Sequence, residues 1–232
     1  AGEYRTLYPE RGQIYDRHGF LLAGNTTVYE VGVSLQDMRN PNSIALAMST
    51  ILGLDYNKVY DYITNPPDGL VYLVLQDYVS SGQAEQLKQL KTQFAENYKT
   101  KDDPSLTGLD FRAHLQRSYP EHELGSNLLG FVTREGRGYF GVEEKYNDLL
   151  AGVPVKVWVP QDPNRAFELP KAPKGTDLVL TIDREIQAAV EEVLIDAVAE
   201  TGSKSGTVVV MNPENGEILA MVSTPQMDLN QF

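Results

Sequence analysis

Residues 136–152 read GRGYFGVEEKYNDLLAG, and the reading of the glycines at the front of this stretch decides the fold. Gly136, Gly138 and Gly141 spell G-x-G-x-x-G, the pattern that in a dinucleotide-binding fold joins a strand to a helix whose N-terminus holds a pyrophosphate. That chemistry needs a strand before the glycines, a helix after them and an acidic residue about 20 positions on. Upstream, NLLGFVTRE leaves room for a short strand at most. Downstream, Glu143 and Glu144 would put negative charge in the first helical turn, where an anionic phosphate has to sit. Asp162 stands at a tolerable distance, but in a QDPN turn rather than at the end of a second parallel strand. The glycines are therefore read as a bend entering a short helix over Glu143 to Leu150. Its glutamates would be held by the helix end or by nearby arginines, and neither a nucleotide nor any other cofactor is expected.

The rest of the chain narrows the class. Its 232 residues allow one large or two modest domains, and 41% hydrophobic with 22% charged residues is the balance of a folded globular protein. A net charge of −12 leaves nothing basic to neutralise a phosphate backbone, so nucleic acid is not an expected partner. The chain has no cysteine, which excludes disulfides, thiolate nucleophiles and zinc ribbons. Aliphatic runs are short, as in VVVM at 208–211, far below the ~18 residues of a membrane span. AGEYRTLYPERGQ at the start has no apolar signal core. The expectation is that any anchor is absent from this sequence, and that the chain is cut short at DLNQF, where it still reads as structured.

Working outward from the glycines, RGQIYDRHGFLLAGNTTVYEVGVSL (11–35) reads as two or three short strands with turns at His18-Gly19 and Gly24-Asn25. Ser43 to Leu54 has an apolar stripe at helical spacing, with Asn42 or Ser43 as its cap, and Asp55 caps a second helix that stops before Pro66-Pro67. A strand at 71–79 leads into a helix from Ser81 to Tyr98, followed by a polar loop and a strand from Phe111 to Ser118. Glu121 to Leu129 reads as a short helix. Four prolines between Pro160 and Pro173 make Val153 to Pro173 an extended connection. Beyond it lies the strongest periodicity in the chain: Ile186, Val190, Val193, Leu194, Ala197 and Val198 share one helical face, with Asp183 as the cap and Gly202 at the end. Strands at 207–211 and 217–223 flank NPENG, a hairpin loop whose Gly216 supplies a positive φ.

Five ordered segments carry a family resemblance. RGQIYDRHGFLLA (11–23) resembles the R-G-x-I-x-D-R-x-G-x-x-L-A motif of class B penicillin-binding proteins, on Arg11, Gly12, Asp16, Arg17 and Gly19. QRSYPEHELGSNLLGFV (116–132) is similar to their R-x-Y-P segment, on Arg117, Tyr119 and Pro120. GYFGVEEKYNDLLAG (138–152) is similar to their G-x-x-G-(L/I/V)-E-x-x-Y motif, on Gly138, Gly141, Glu143, Tyr146 and Gly152. DLVLTIDREIQ (177–187), with Asp183 and Gln187, and VVVMNPENGEILAMVSTPQMDLNQF (208–232), with Gly216, resemble the opening of the transpeptidase domain. The resemblance implies an α+β fold: a dimerisation and pedestal module of short strands over 1–174, then one helix and a hairpin from a truncated transpeptidase domain over 175–232. It also implies that the first and third motifs meet in the pedestal. From charge, Arg11, Asp16 and Arg17 are the candidate partners of Glu143.

Transpeptidases of this family acylate the serine of an S-x-x-K motif, with S-x-N and K-T-G completing the site, and the lysine must stand one helical turn from the serine. No serine here has lysine three places on or asparagine two places on, and Lys174-Gly175-Thr176 has the K-T-G composition in another order. No catalytic residue is expected in this chain. His18, His114 and His122 lack metal-ligand spacing, so no metal site is expected either. The resemblance implies a non-catalytic scaffold on the outer face of a bacterial cytoplasmic membrane, with the parent anchored by an N-terminal helix. The partners it implies are a second copy, a membrane-embedded glycan polymerase and other cell-wall synthesis proteins. Two other readings stand beside it: a hidden serine nucleophile acylated by β-lactams, and a free-standing extracytoplasmic interaction module. The hairpin, deprived of a larger sheet, is expected to dimerise, to pack on the pedestal or to be poorly ordered.

Overall fold

A computed structural model describes residues 2–160 and 172–231. The elements run β1 (Gly2–Leu7), β2 (Ile14–Tyr15), β3 (Leu21–Ser34), α1 (Pro41–Leu52), α2 (Tyr56–Thr64), β4 (Tyr72–Ser80), α3 (Ser81–Asn97) and β5 (Leu109–Ser118). They continue with α4 (Ser126–Leu129), β6 (Phe131–Val132), β7 (Gly138–Tyr139), α5 (Gly141–Lys145), α6 (Asn147–Ala151), β8 (Val155–Pro160), β9 (Leu178–Val179), α7 (Arg184–Thr201), β10 (Gly206–Met211) and β11 (Ile218–Thr224). The fold is mixed α+β, as expected. The chain forms two compact units, residues 27–116 and residues 1–26 with 117–232, and it passes from one to the other within β3 and again at the end of β5.

The 27–116 unit follows its sequence closely. Antiparallel pairing of β3 with β4 sets Val28 opposite Ser80 and Val33 opposite Leu73, and β5 also pairs with β3. Ile44, Ala45, Ala47 and Met48 of α1 are buried with Val59 and Ile63 of α2 and Leu87 of α3. The cap of α1 is Asn40, whose Oδ1 accepts from Ser43 N at 3.0 Å, not Asn42 or Ser43. Pro41 explains the shift, because its fixed φ and missing N–H suit the first helical position. Asp55 caps α2 as the sequence predicts.

The second unit holds all five motifs. Here β2 pairs antiparallel with β3, Ile14 opposite Ala23, and parallel with β9, Ile14 opposite Leu178. Around Ile14 a core gathers Leu22, Ala23, Tyr119, Leu129, Val142, Leu150 and Leu229. No turn forms at Gly24-Asn25, because β3 runs straight through. The Asn25 carboxamide, which would have served a turn, donates to the Arg11 carbonyl at 2.7 Å and accepts from Arg117. Glu121 to Gly125 is a turn, so only Ser126–Leu129 of the expected helix is helical. The helix expected over Glu143 to Leu150 is two short ones meeting at Tyr146.

Val155–Pro160, read as part of the extended connection, is strand β8 and pairs antiparallel with β1, Tyr4 opposite Trp158. Its V-K-V-W-V alternation has the period of a strand, a signal outweighed in the sequence by the surrounding prolines. The rest of that connection, 161–171 with Asp162, lies outside the described residues.

On α7 the buried residues are Gln187, Glu191 and Leu194, while Val193 is 66% exposed. The buried face therefore differs from the predicted apolar stripe, and hydrogen bonding is the reason. Gln187 Nε2 donates to the Met221 carbonyl at 3.0 Å and its Oε1 accepts from Met221 N at 2.9 Å, so the carboxamide acts as an added rung on β11. The hairpin β10–β11 turns at NPENG, where Gly216 has φ 77° and its N–H reaches the Asn212 carbonyl at 2.8 Å. Ala220 and Val222 are buried on its inner face, and Asn127 of α4 donates to the Ser223 carbonyl. Val209, Met211 and Met221 remain exposed on the outer face. Of the outcomes expected for this hairpin, it is ordered and packs by one face, on α7 and α4.

Candidate functional site: a buried carboxylate between two arginines

Glu143 is 0% exposed, in the short helix α5 between β7 and α6. Arg11 reaches it from the loop before β2: Nε lies 2.8 Å and Nη2 2.7 Å from Oε2, and Nη2 also donates to the Glu143 carbonyl at 3.1 Å. Arg117, at the end of β5, donates from Nε to Oε1 at 2.7 Å. Tyr119 completes the set, its hydroxyl donating to the same Oε1 at 3.3 Å. Burial first, and then the neighbouring Glu143 charge, push the Tyr119 phenol far above its ordinary range, so it stays protonated and remains a donor.

Two guanidiniums share one carboxylate, and the surplus positive charge is spread over neutral acceptors. Arg11 Nη1 donates to Asn147 Oδ1 at 3.1 Å and to the Gly136 carbonyl at 3.3 Å. Arg117 Nη1 donates to the Gly12 carbonyl at 2.7 Å and to Asn25 Oδ1 at 3.3 Å. Arg117 Nη2 is buried with no hydrogen bond among the described residues, as two cations around one anion would lead one to find. Such a cluster is a specific fastener more than a store of stability, since desolvation offsets much of its attraction; removing one member is what costs about 3–5 kcal/mol.

The glycines allow this closeness. A Cβ on Gly138 would lie 2.1 Å from the Glu143 carbonyl oxygen, and one on Gly141, at φ 51°, equally close to that of Leu128. At Gly12 it would stand 2.0 Å from the Thr176 carbonyl oxygen. Gly152, at φ 67°, ends α6 against Pro9 and Gly175. The amides that a pyrophosphate would need are also occupied. Gly138 N donates to Asn147 Oδ1 at 3.0 Å, Phe140 N to Glu144 Oε2 at 2.7 Å, and Gly136 N to the Thr133 carbonyl at 2.9 Å.

Of the predicted partners, Arg11 meets Glu143, whereas Asp16 and Arg17 do not. Asp16 is buried and accepts from His18 N, Phe20 N and, at 3.1 Å, Arg184 N, the first amide of α7. Arg17 pairs instead with Glu217 at 3.3 Å, and its amide donates to the Ile182 carbonyl. Gly19, at φ 86°, closes the turn after Asp16. Asp183 caps α7 through Glu185 N and Ile186 N and stands 3.0 Å from His18 Nε2. The first motif thus holds both Glu143 and the start of α7. Gln187 and Gly216 belong to the hairpin packing described above, and Pro120 and Tyr146 are exposed. Arg117 was legible as a motif residue but not as a Glu143 partner. Its i, i+2 spacing from Tyr119 in an extended segment puts both side chains on one face, a signal that could have found it. Asn25 and Asn147 carried no such signal. Among the described residues, no group of His, Cys, Asp and Glu has the makings of a metal site.

The family model for the penicillin-binding protein dimerisation domain matches residues 6–171, most of the chain and all of the residues around Glu143. The chain belongs to the penicillin-binding-protein dimerisation-domain family. Its relatives include the stage V sporulation protein D of Bacillus subtilis, 30% identical over 95% of this chain and 33% of that protein. The peptidoglycan D,D-transpeptidase FtsI of Escherichia coli is 28% identical over 96% of this chain and 37% of that protein. The crystal structure of penicillin-binding protein 2X from Streptococcus thermophilus shares the fold, with a TM-score of 0.71 at 19% identity over 99% of this chain and 36% of that one. The chain thus spans roughly a third of the length of these relatives. The class B penicillin-binding-protein resemblance read from the five motifs holds.

Proposed function

We propose that this chain is the non-catalytic scaffold region of a bacterial cell-wall D,D-transpeptidase, which positions the transpeptidase and offers contact surfaces to other peptidoglycan-synthesis proteins. On this reading, residues 1–174 are the dimerisation and pedestal module and 175–232 the opening of the transpeptidase domain. The module lies outside the cytoplasmic membrane, where a second copy or a membrane-embedded glycan polymerase would be met.

One observation carries the reading: among the described residues, the buried side chains of the motifs bond to one another and to the main chain, and so hold distant chain segments together. Glu143 fastens residues 11 and 117, and Asp16 holds the first amide of α7. No serine has the lysine three residues on that acylation in this family requires. No helix among the described residues is long and apolar enough to cross a membrane. Incubation of the 232-residue chain with a fluorescent penicillin, resolved on a denaturing gel, tests the proposal. No adduct is expected; a denaturation-resistant band would assign a nucleophile to the chain and end the scaffold reading.

A further inference from the structure

Residues 227–230 are bound to the Tyr119–Ser126 segment by a dense set of polar contacts. The Asn230 carboxamide takes both main-chain groups of Tyr119, with Oδ1 accepting from its N–H at 2.9 Å and Nδ2 donating to its carbonyl at 2.8 Å. Leu229 N donates to the His122 carbonyl at 3.2 Å, Asp228 Oδ2 lies 3.1 Å from His122 Nδ1, and Met227 N donates to Ser126 Oγ at 3.3 Å. Leu229 is 3% exposed, in the core cluster that contains the Tyr119 ring. The other end of Tyr119, its hydroxyl, is on Glu143.

We propose that Tyr119 is a positioning residue that joins residues 227–230 to the buried Arg11–Glu143–Arg117 cluster, so that clasp and cluster open together. This rests on the scaffold reading: the chain beyond residue 230 then starts from a place that Tyr119 sets. The physical ground is the shortness and rigidity of the link. A tyrosine ring is a stiff lever of fixed length, and this one is buried in the core cluster around Ile14. Where the Tyr119 main chain moves with Asn230, the hydroxyl is drawn off Glu143 Oε1. Loss of Glu143 in turn frees the ring end of the lever. Groups that share a partner in this way show non-additive responses to substitution, whereas independent sites multiply.

Hydrogen exchange of the 232-residue chain tests this, read at the amides of Tyr119 and Leu229 in Tyr119→Phe, Asn230→Ala and the double variant. Amides of Arg17 and Leu180, in the same unit and bonded to the Ile182 and Tyr15 carbonyls, report that the fold is intact. Each single substitution is expected to speed exchange at both amides several-fold. The double variant is expected to fall short of the product of the two factors by at least about threefold, the size of a modest coupling. Factors that multiply, or a Tyr119→Phe chain whose Leu229 amide exchanges at the wild-type rate, overturn the proposal. If Tyr119→Phe does not fold, Asn230→Ala alone decides, read at the Nε–H protons of Arg11 and Arg117: faster exchange supports the link and an unchanged rate refutes it. These rates are independent of penicillin labelling, so an adduct would sink the scaffold reading without touching the coupling.

Discussion

Arg11 and Glu143 stand 132 positions apart and meet at three places, Nε and Nη2 on the carboxylate and Nη2 on the main-chain carbonyl. A forked cation on both the side chain and the backbone of one residue fixes that residue's orientation as well as its position. That double hold, and not any single short distance, makes the bend at 136–143 rigid.

Arg117→Lys keeps the charge and loses the fork. Arg117 uses Nε on Glu143 and Nη1 on Gly12 and Asn25, directions a single ammonium cannot reproduce together. A loss of about 1.5–3 kcal/mol in unfolding free energy is expected, the range for a hydrogen bond to a charged group. Urea titration checks it, and a lysine variant as stable as the native chain would show that charge alone suffices.

Gly12→Ala and Gly19→Ala separate crowding from backbone strain. At Gly12 the added carbon would stand 2.0 Å from the Thr176 carbonyl oxygen, and the two backbones are held in place by hydrogen bonds from Gly12 N to the Leu150 carbonyl and from Thr176 N to the Leu149 carbonyl. At Gly19 no atom lies within 4 Å, and only its φ of 86° resists a side chain. Gly19→Ala should cost about 1–2 kcal/mol, and Gly12→Ala clearly more, with thermal melting ranking the two. The reverse order would mean that the close approach of residues 12 and 176 is misplaced.

Much of this was legible beforehand, and the parts that were not share a cause. Caps such as Asp55 and Asp183, the NPENG hairpin and the bend at Gly141 are local, set by residues within a few positions. Glu143's second arginine, the strand identity of Val155–Pro160 and the buried Gln187–Glu191 face of α7 depend on partners far along the chain. Periodicity sees apolar burial. It has no view of a carboxamide buried because a strand main chain receives it.

The Asp183 cap should set an acid limit on α7. Its carboxyl is held below the usual 3.8, chiefly by the Ile186 amide, with His18 and the Glu185 amide adding to the effect. A depressed carboxyl contributes stability that is full above its unfolded value and is lost as pH falls through its folded value. The amide resonances of Glu185 and Ile186 should therefore titrate with a midpoint below pH 3.8, and Asp183→Asn, itself a good cap, should abolish that step. A midpoint at or above 3.8 would contradict the cap geometry.

The central claim is that Glu143 is a structural fastener. A double-mutant cycle on Arg11→Ala and Glu143→Gln tests it most directly, with urea unfolding followed by Trp158, the single tryptophan, which lies in the same unit. Glu143→Gln alone should lose about 3–5 kcal/mol by leaving two buried cations without their anion. With Arg11→Ala present it should lose at least about 2 kcal/mol less, a coupling typical of groups in one network. Effects that add to within about 0.5 kcal/mol would show that the two residues act independently and would contradict the account.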